Sequence, residues 1–267
     1  MLFFVVAFAH EAKAVIKHYN LTRIEPSPFA LYGNGNVALI VSGMGASSAL
    51  IATTHFLTRF NATQDDTLIN LGICAATENF SLGQTLIAHT ISDNASQKNI
   101  YPDLRFSHPF HEVHLYTANQ PQDQPLPKAE AVDMEAFFVL QAARIFLPTS
   151  KLFIAKVVSD HFDTAVPDKA KVHTWMSTLL EDILPIINAM QTEKSQAIHY
   201  TQTLQTELDK LSTALQLTQT QSHLLLSHLN YYILRHHKEP LLPKYIQQTH
   251  KKEQKDAFNK LLTLLAS

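Results

Sequence analysis

The feature that most constrains this chain is a set of short, mainly apolar runs separated by longer stretches of helical period. Leu2–Phe8 is a β-rich run without a polar residue, and Val37–Val41 is a second. Further runs lie at 67–71, 85–91, 113–117 and 152–158. A strand with one wet face alternates apolar and polar residues, so runs that do not alternate belong in strands covered on both faces. Between them, 12–19, 46–59, 133–146 and 171–190 read as helices. The alternation predicts an α/β layered fold with a mostly parallel sheet. Gly33-Asn34-Gly35-Asn36 before Val37 predicts a hairpin turn, because Asn and Gly tolerate positive φ.

The pattern stops near residue 192. Residues 1–192 carry 12 basic and 17 acidic side chains, whereas 193–267 carry 9 and 6. All six glycines lie in the first part. In the second, Leu204, Leu208, Leu211, Leu215, Leu225, Leu229 and Tyr232 follow three- and four-residue steps, with Thr218 and Ser222 interrupting the seam. Pro240 and Pro243 must end that helix. A shorter helix over 244–265 then carries Phe258, Leu261, Leu262 and Leu265. The expectation is an α/β domain over 1–192 and a helical hairpin over 193–267, its apolar stripe covered by itself, the α/β domain or a second chain.

Lys plus Arg number 21 against 23 for Asp plus Glu, a formal net charge of −2. That balance argues against a nucleic-acid partner. Cys74 is the only cysteine, which excludes an internal disulfide or a Cys-cluster zinc site and fits a reducing cytoplasm. No apolar run approaches the ~18 residues of a membrane helix. The opening run leads directly into His10 and Glu11, so it reads as a buried strand and not as a signal peptide. The six histidines between His199 and His250 lack the spacing of metal ligands, and neither a metal nor a cofactor is expected. A cytoplasmic protein without a membrane partner is the expectation.

Ligands of open α/β sheets bind beyond strand ends, which directs attention to the residues that close each run. Glu11 follows the first. Ser42-Gly43-Met44-Gly45 follows the second, where glycines let backbone N–H groups approach a ligand at a helix start. Gly72-Ile73-Cys74-Ala75-Ala76 follows Leu71, Ser159-Asp160 follows Val158, and Asp133, Met134 and Glu135 head the 133–146 helix. Each is weak alone, since a Glu at a helix start is usually a cap and an Asp after a strand is often one. Three carboxylates and two glycine turns together at strand ends carry more.

That order resembles the purine nucleoside phosphorylase/nucleosidase superfamily, and most closely its methylthioadenosine/S-adenosylhomocysteine nucleosidase branch. The resemblance rests on Ser42–Gly45, Asn70–Ala76, Val132–Ala136 and Lys156–Asp160. It spans roughly residues 1–190 and is sharpest in Met134-Glu135 and Ser159-Asp160. It implies a three-layer α/β/α sandwich around a mixed, partly barrel-like sheet, and cleavage of the N-glycosidic bond of a purine nucleoside, with a 5′-modified adenosine favoured. It implies that Asp160 protonates the purine, held by Ser159, and that Glu135 beside Met134 binds the ribose hydroxyls. Gly43, Gly45 and Gly72 fall among the substrate-binding positions. Glu11, with His10 one residue away as the other option, matches the carboxylate that activates water. A homodimer is also implied.

The sequence departs from the family at Ile73, whose side chain cannot hydrogen-bond water or phosphate. No arginine stands near the glycine turns, and phosphorolysis needs a phosphate-binding cation, so hydrolysis is favoured over it. A nucleoside-binding module without turnover is the further alternative. Phe106, Phe110 and Tyr116 are candidates to stack on the base, and 117–121 to contact its edge.

Overall fold

Burial of β1 (Leu2–Val6) along its whole length is what an apolar run without alternation requires. The side chains divide by parity. Phe3 and Val5 face one core with Ala49, Ala52 and Phe56, while Leu2, Phe4 and Val6 face the other with Ala12, Val15 and Met176. This period of two, apolar on both sides, fixes β1 as the middle layer. The computed structural model describes residues 1–127, 129–163, 168–192, 201–236, 238–242 and 251–266.

In chain order the first unit continues with α1 (Ala9–Tyr19), β2 (Thr22–Arg23), β3 (Ala30–Gly33), β4 (Val37–Val41), α2 (Ala46–Arg59) and β5 (Thr67–Ala76). Then come β6 (Thr85–Asp93), β7 (Asn99–Ile100), β8 (His111–Thr117), β9 (Ala131–Asp133), α3 (Ala136–Ala143), β10 (Leu152–Asp160) and α4 (Lys169–Thr192). The sheet order is β10-β6-β8-β9-β5-β1-β4-β3-β2, and β10 also pairs with β5. That extra pairing closes β5, β10, β6, β8 and β9 into a ring, from which β1, β4, β3 and β2 extend as an open sheet. β1 runs parallel to β4 and β5, and β5 to β10, whereas β6–β10 and β5–β9 are antiparallel. Helices α2 and α3 cover one face and α1 and α4 the other. The expected three-layer α/β/α sandwich on a mixed, partly barrel-like sheet is what the chain forms.

Several boundaries moved. The turn at Asn34–Asn36 joins β3 to β4 antiparallel, with Gly35 at φ 92°. β3 itself was not separated in the sequence. Residue 133, expected to open a helix over 133–146, instead ends β9 (Ala131–Asp133), and α3 begins only at Ala136.

The chain divides into two compact units, Met1–Ser195 and Gln196–Ser267. The composition change at 192/193 abuts residues 193–200, which lie outside the described residues. Among the described residues the second unit holds three helices, α5 (Gln202–Ala214), α6 (Gln219–His236) and α7 (Lys251–Ala266), where a hairpin of two was expected. The seam gap near Thr218 is a helix break: Gln216 takes a left-handed φ of 49° between α5 and α6. Pro243 and residues 244–250 of the expected last helix lie outside the described residues. The leucine seam is buried as a core of its own, with Leu208, Leu211 and Leu229 against Phe258 and Leu261. Among the described residues, no helix is long and apolar enough to cross a membrane.

Candidate functional site

A cavity of about 320 Å³ lies where the ends of β5, β9 and β10 meet the loops after β1, β4 and β8. That volume is at the small end of the ~300–1,000 Å³ usual for small-molecule sites. Asp160, Ser159, Glu135 and Met134 all line it, so residues 25 positions apart come together.

Asp160 is aimed by an irregularity in its strand. β10 pairs Val158 with Cys74 and Asp160 with Ala75, which leaves Ser159 as an extra residue. Such a bulge turns the following side chain out of the regular pleat. The Ser159 hydroxyl donates to Asp160 Oδ2 at 2.7 Å, and the Phe162 N–H donates to Oδ1 at 3.0 Å. Phe162 adopts a left-handed φ of 67° to do so, a conformation unusual for a bulky side chain. Asp160 is thus oriented through both oxygens while remaining partly exposed on the cavity wall.

Glu135 precedes α3 and accepts a hydrogen bond at 2.7 Å from the N–H of Gly45. Gly45 precedes α2 with φ 90°, a region an L side chain rarely enters. Gly45 therefore positions Glu135, with its own N–H already engaged. Gly43 has φ 81° and donates its N–H to the Ala7 carbonyl at 3.1 Å, so both glycines shape the turn without lining the cavity. Burial, then the neighbouring Asp133, push the Glu135 carboxyl up to about 7, against the pull of Lys156 and the Gly45 N–H.

Glu11 sits at the third position of α1. Its Oε2 accepts from the N–H groups of Ala7 and Phe8, each at 2.9 Å. The bond to Phe8 alone would be an ordinary helix cap. Two further observations go beyond a cap. Oε1 accepts from the Ile73 N–H of β5 at 3.1 Å, and the side chain is buried. Burial raises its pKa, outweighing the backbone N–H groups and Lys156, which pull it down. A buried carboxylate of this kind is a better base than a wet one. Glu11 points inward, while His10 lines the larger cavity, stacked on Phe8 with ring centroids 5.2 Å apart. Burial, with Lys169 and Lys13, lowers the His10 pKa.

Beside Glu11 lies Lys156, a buried cation to which the sequence reading assigned no role. It is 3% exposed, and its Nζ pairs with Asp133 Oδ2 at 2.9 Å. Burial alone would lower its pKa, but Asp133, Glu135 and Glu11 more than offset this and hold it above the usual lysine value. Asp133 also accepts from the Thr117 hydroxyl and the Ala136 N–H. The sequence expectation concerned arginine alone; a lysine, Lys156, faces Gly72 across the β5–β10 pairing. A Cβ on Gly72 would lie 3.2 Å from Glu11 Oε1 and 3.4 Å from Lys156 Nζ, so the absent side chain is what lets these two groups converge. There a second chamber of about 20 Å³ is lined by Glu11, Gly72, Asn70, Lys156 and Glu135. It shares Phe8, Ile73 and Glu135 with the larger cavity.

The proposed stacking residues do not line either cavity. Phe106 and Phe110 pack on the α1/α4 core, and Tyr116 packs with Val132 and Phe162. Gln120 and Pro121 of the expected base-edge loop do line the larger one, and Phe8 is its aromatic wall. Cys74 also lines it, but burial pushes its thiol well above the usual range.

No family profile matches the sequence, and no curated protein matches it by sequence. Solved structures do match by shape. The Arabidopsis thaliana 5′-methylthioadenosine nucleosidase in apo form superposes with TM-score 0.57 at 16% identity, over 71% of this chain and 95% of that one. The fold is that of the methylthioadenosine/S-adenosylhomocysteine nucleosidases. The Neisseria meningitidis enzyme of that name, in complex with methylthio-immucillin-A, gives TM-score 0.55 and 15% identity over 72% of this chain and 98% of its own. A Chlamydia trachomatis relative of this nucleosidase fold, bound to MTA, gives 0.55 and 20% over 71% and 98%. Nearly the whole of each nucleosidase is spanned, and over a quarter of this chain is additional to it.

Proposed function

We propose that this protein hydrolyses the N-glycosidic bond of a purine nucleoside, with a 5′-modified adenosine as the favoured substrate. The observation that carries the reading is the small chamber beside the larger cavity. Its volume of about 20 Å³ exceeds the roughly 10–15 Å³ that one water molecule needs. Glu11 and Glu135 both line it, and two carboxylates there repel a phosphate dianion as well as leaving it no room. Lys156 offers no free charge to phosphate, because it is already paired with Asp133.

In this reading Asp160, held by Ser159, gives a proton to purine N7 as the C1′–N9 bond breaks. Glu135 accepts hydrogen bonds from the ribose hydroxyls, and its negative charge favours the oxocarbenium-like transition state. Glu11 takes a proton from the water whose oxygen bonds to C1′. Acid and base act from opposite sides of the sugar, the arrangement of inverting glycosidases. Met134 walls the sugar site, Gly72 leaves space for the water, and Gly43 and Gly45 hold the turn that fixes Glu135. The backbone N–H of Ile73 helps to hold Glu11 in place. The solved neighbours bound to methylthio-immucillin-A and MTA support a nucleoside ligand. A cytoplasmic homodimer is part of the proposal.

The test is release of free base from a panel of purine and pyrimidine nucleosides, with and without a 5′-thioether. Purine release by the wild type, lost in Glu11→Gln, is expected. Absence of release from every purine nucleoside would overturn the reading.

A further inference from the structure

Asn70 lies in β5, 2% exposed, two residues before Gly72 and on the same face of the strand. Its Nδ2 donates to the Val5 carbonyl at 3.0 Å, and that contact fixes the amide orientation, since only the nitrogen can donate. Oδ1 must then face the other way. It is fully buried and accepts no hydrogen bond among the described residues, yet Asn70 lines the small chamber with Glu11 and Lys156. A buried carbonyl oxygen without a donor is costly, and such atoms call for an explanation. A strand-to-strand tether to Val5 needs only the nitrogen, so it leaves the buried Oδ1 acceptor of a chamber-lining residue unaccounted for.

Resting on the hydrolytic reading above, we propose that Asn70 is a positioning residue that orients the attacking water. A water molecule has two protons to donate and two lone pairs. Glu11 and Asn70 Oδ1 are acceptors only, so together they take both protons. Lys156 is a donor only and occupies one lone pair. The remaining lone pair has a single direction left, toward the larger cavity that shares Phe8, Ile73 and Glu135 with the chamber. Attack forms the O–C1′ bond as C1′–N9 breaks. One water proton passes to Glu11, the Asp160 proton passes to purine N7, and the proton donated to Asn70 stays on the new hydroxyl. Exchange with solvent then resets both carboxyls. Without Oδ1 the water would rotate about its bond to Glu11, and the nucleophilic lone pair would not be held on the anomeric carbon. Small losses of alignment of this kind cost up to about 100-fold in rate.

Asn70→Val and Asn70→Asp, assayed beside the wild type for base release, test this. Asn70→Val should lower kcat about 10–100-fold, the size of an alignment loss, with KM and the affinity for a non-hydrolysable nucleoside analogue unchanged. Asn70→Asp mimics Asn only when protonated, its hydroxyl donating to Val5 and its carbonyl facing the water. Its kcat should therefore fall with rising pH more steeply than that of the wild type, because a second proton is then required besides that of Asp160. A purely structural role would lower thermal stability in both variants without this pH signature. Normal kcat in Asn70→Val with the wild type active overturns the inference while leaving the hydrolytic reading standing. A wild type that releases no base overturns both. If neither variant folds, a high-resolution wild-type crystal structure decides: a water bonded to both Asn70 Oδ1 and Glu11 is expected, and its absence would refute the assignment.

Discussion

Replacing Lys156 with Met removes a buried cation from among buried carboxylates while keeping most of the side-chain volume. The Lys156–Asp133 pair at 2.9 Å corresponds to about 6 kcal/mol of attraction at an effective dielectric of ~20. Desolvation of the lysine is recovered on its removal, so the net loss is smaller than this figure. Breaking a buried pair from one side costs about 3–5 kcal/mol, because the partner charge is left uncompensated. For a unit of this size, that corresponds to a fall in Tm of about 6–20 °C. Glu135 and Glu11, whose pKa values are already raised by burial while Lys156 pulls them down, should rise further in the variant. The penalty belongs to ionised carboxylates, so it is present above their unfolded pKa of about 4 and is relieved as pH falls and they protonate in the folded state. Thermal unfolding across pH, comparing wild type, Lys156→Met and Lys156→Met/Asp133→Asn, provides the assay. The single variant should be least stable relative to wild type near neutral pH, and the double variant should recover part of the loss. Equal stability of Lys156→Met and wild type at neutral pH would refute the reasoning.

Asp160→Asn should lower base release by about 10²–10⁴-fold, the usual range for losing a general acid, with analogue affinity and unfolding midpoint close to wild type. Glu135→Gln should weaken binding of ribosides by the roughly 1.5–3 kcal/mol of a hydrogen bond to a charged group, and binding of dideoxyribosides much less; parallel titrations distinguish these. Because the Glu135 carboxyl is pushed up to about 7, riboside affinity should increase as pH rises through neutrality. Its contribution to the stability of the free protein has the opposite sign: present in full below its unfolded pKa of about 4.3, it is lost as pH rises through about 7. Unfolding of wild type and Glu135→Gln across pH measures the difference. Gly72→Ala places a methyl 3.2 Å from Glu11 Oε1 and 3.4 Å from Lys156 Nζ, so turnover should fall more than substrate affinity, and equal losses in kcat and 1/KM would contradict a role confined to the chamber.

Much of the fold was legible where local and global demands coincide. The Val37–Val41 run is bounded by Gly and Asn on one side and by a glycine turn on the other, and β4 and α2 have the expected bounds. β9 was not legible, because three residues flowing into an apolar helix carry no period of their own. The break between α5 and α6 was visible only as a gap in a seam, and Gln216 in a left-handed conformation gives no sequence signal. The residues around the larger cavity were found because carboxylates at strand ends are conspicuous. Lys156 and Asn70 were missed for the opposite reason, as polar residues inside runs read as ordinary strand. A signal was nevertheless present: a lysine within a run covered on both faces must have a buried partner. That partner, Asp133, comes from a strand that could not be seen.

The most direct test of the central claim is the identity of the sugar product when purine nucleoside turns over in the presence of phosphate. Phosphorus NMR of the reaction should show inorganic phosphate unchanged, with free base and free sugar formed at the rate seen without phosphate. Growth of a sugar 1-phosphate signal, with base release accelerated by phosphate, would contradict hydrolysis at the chamber formed by Glu11, Gly72, Asn70 and Lys156.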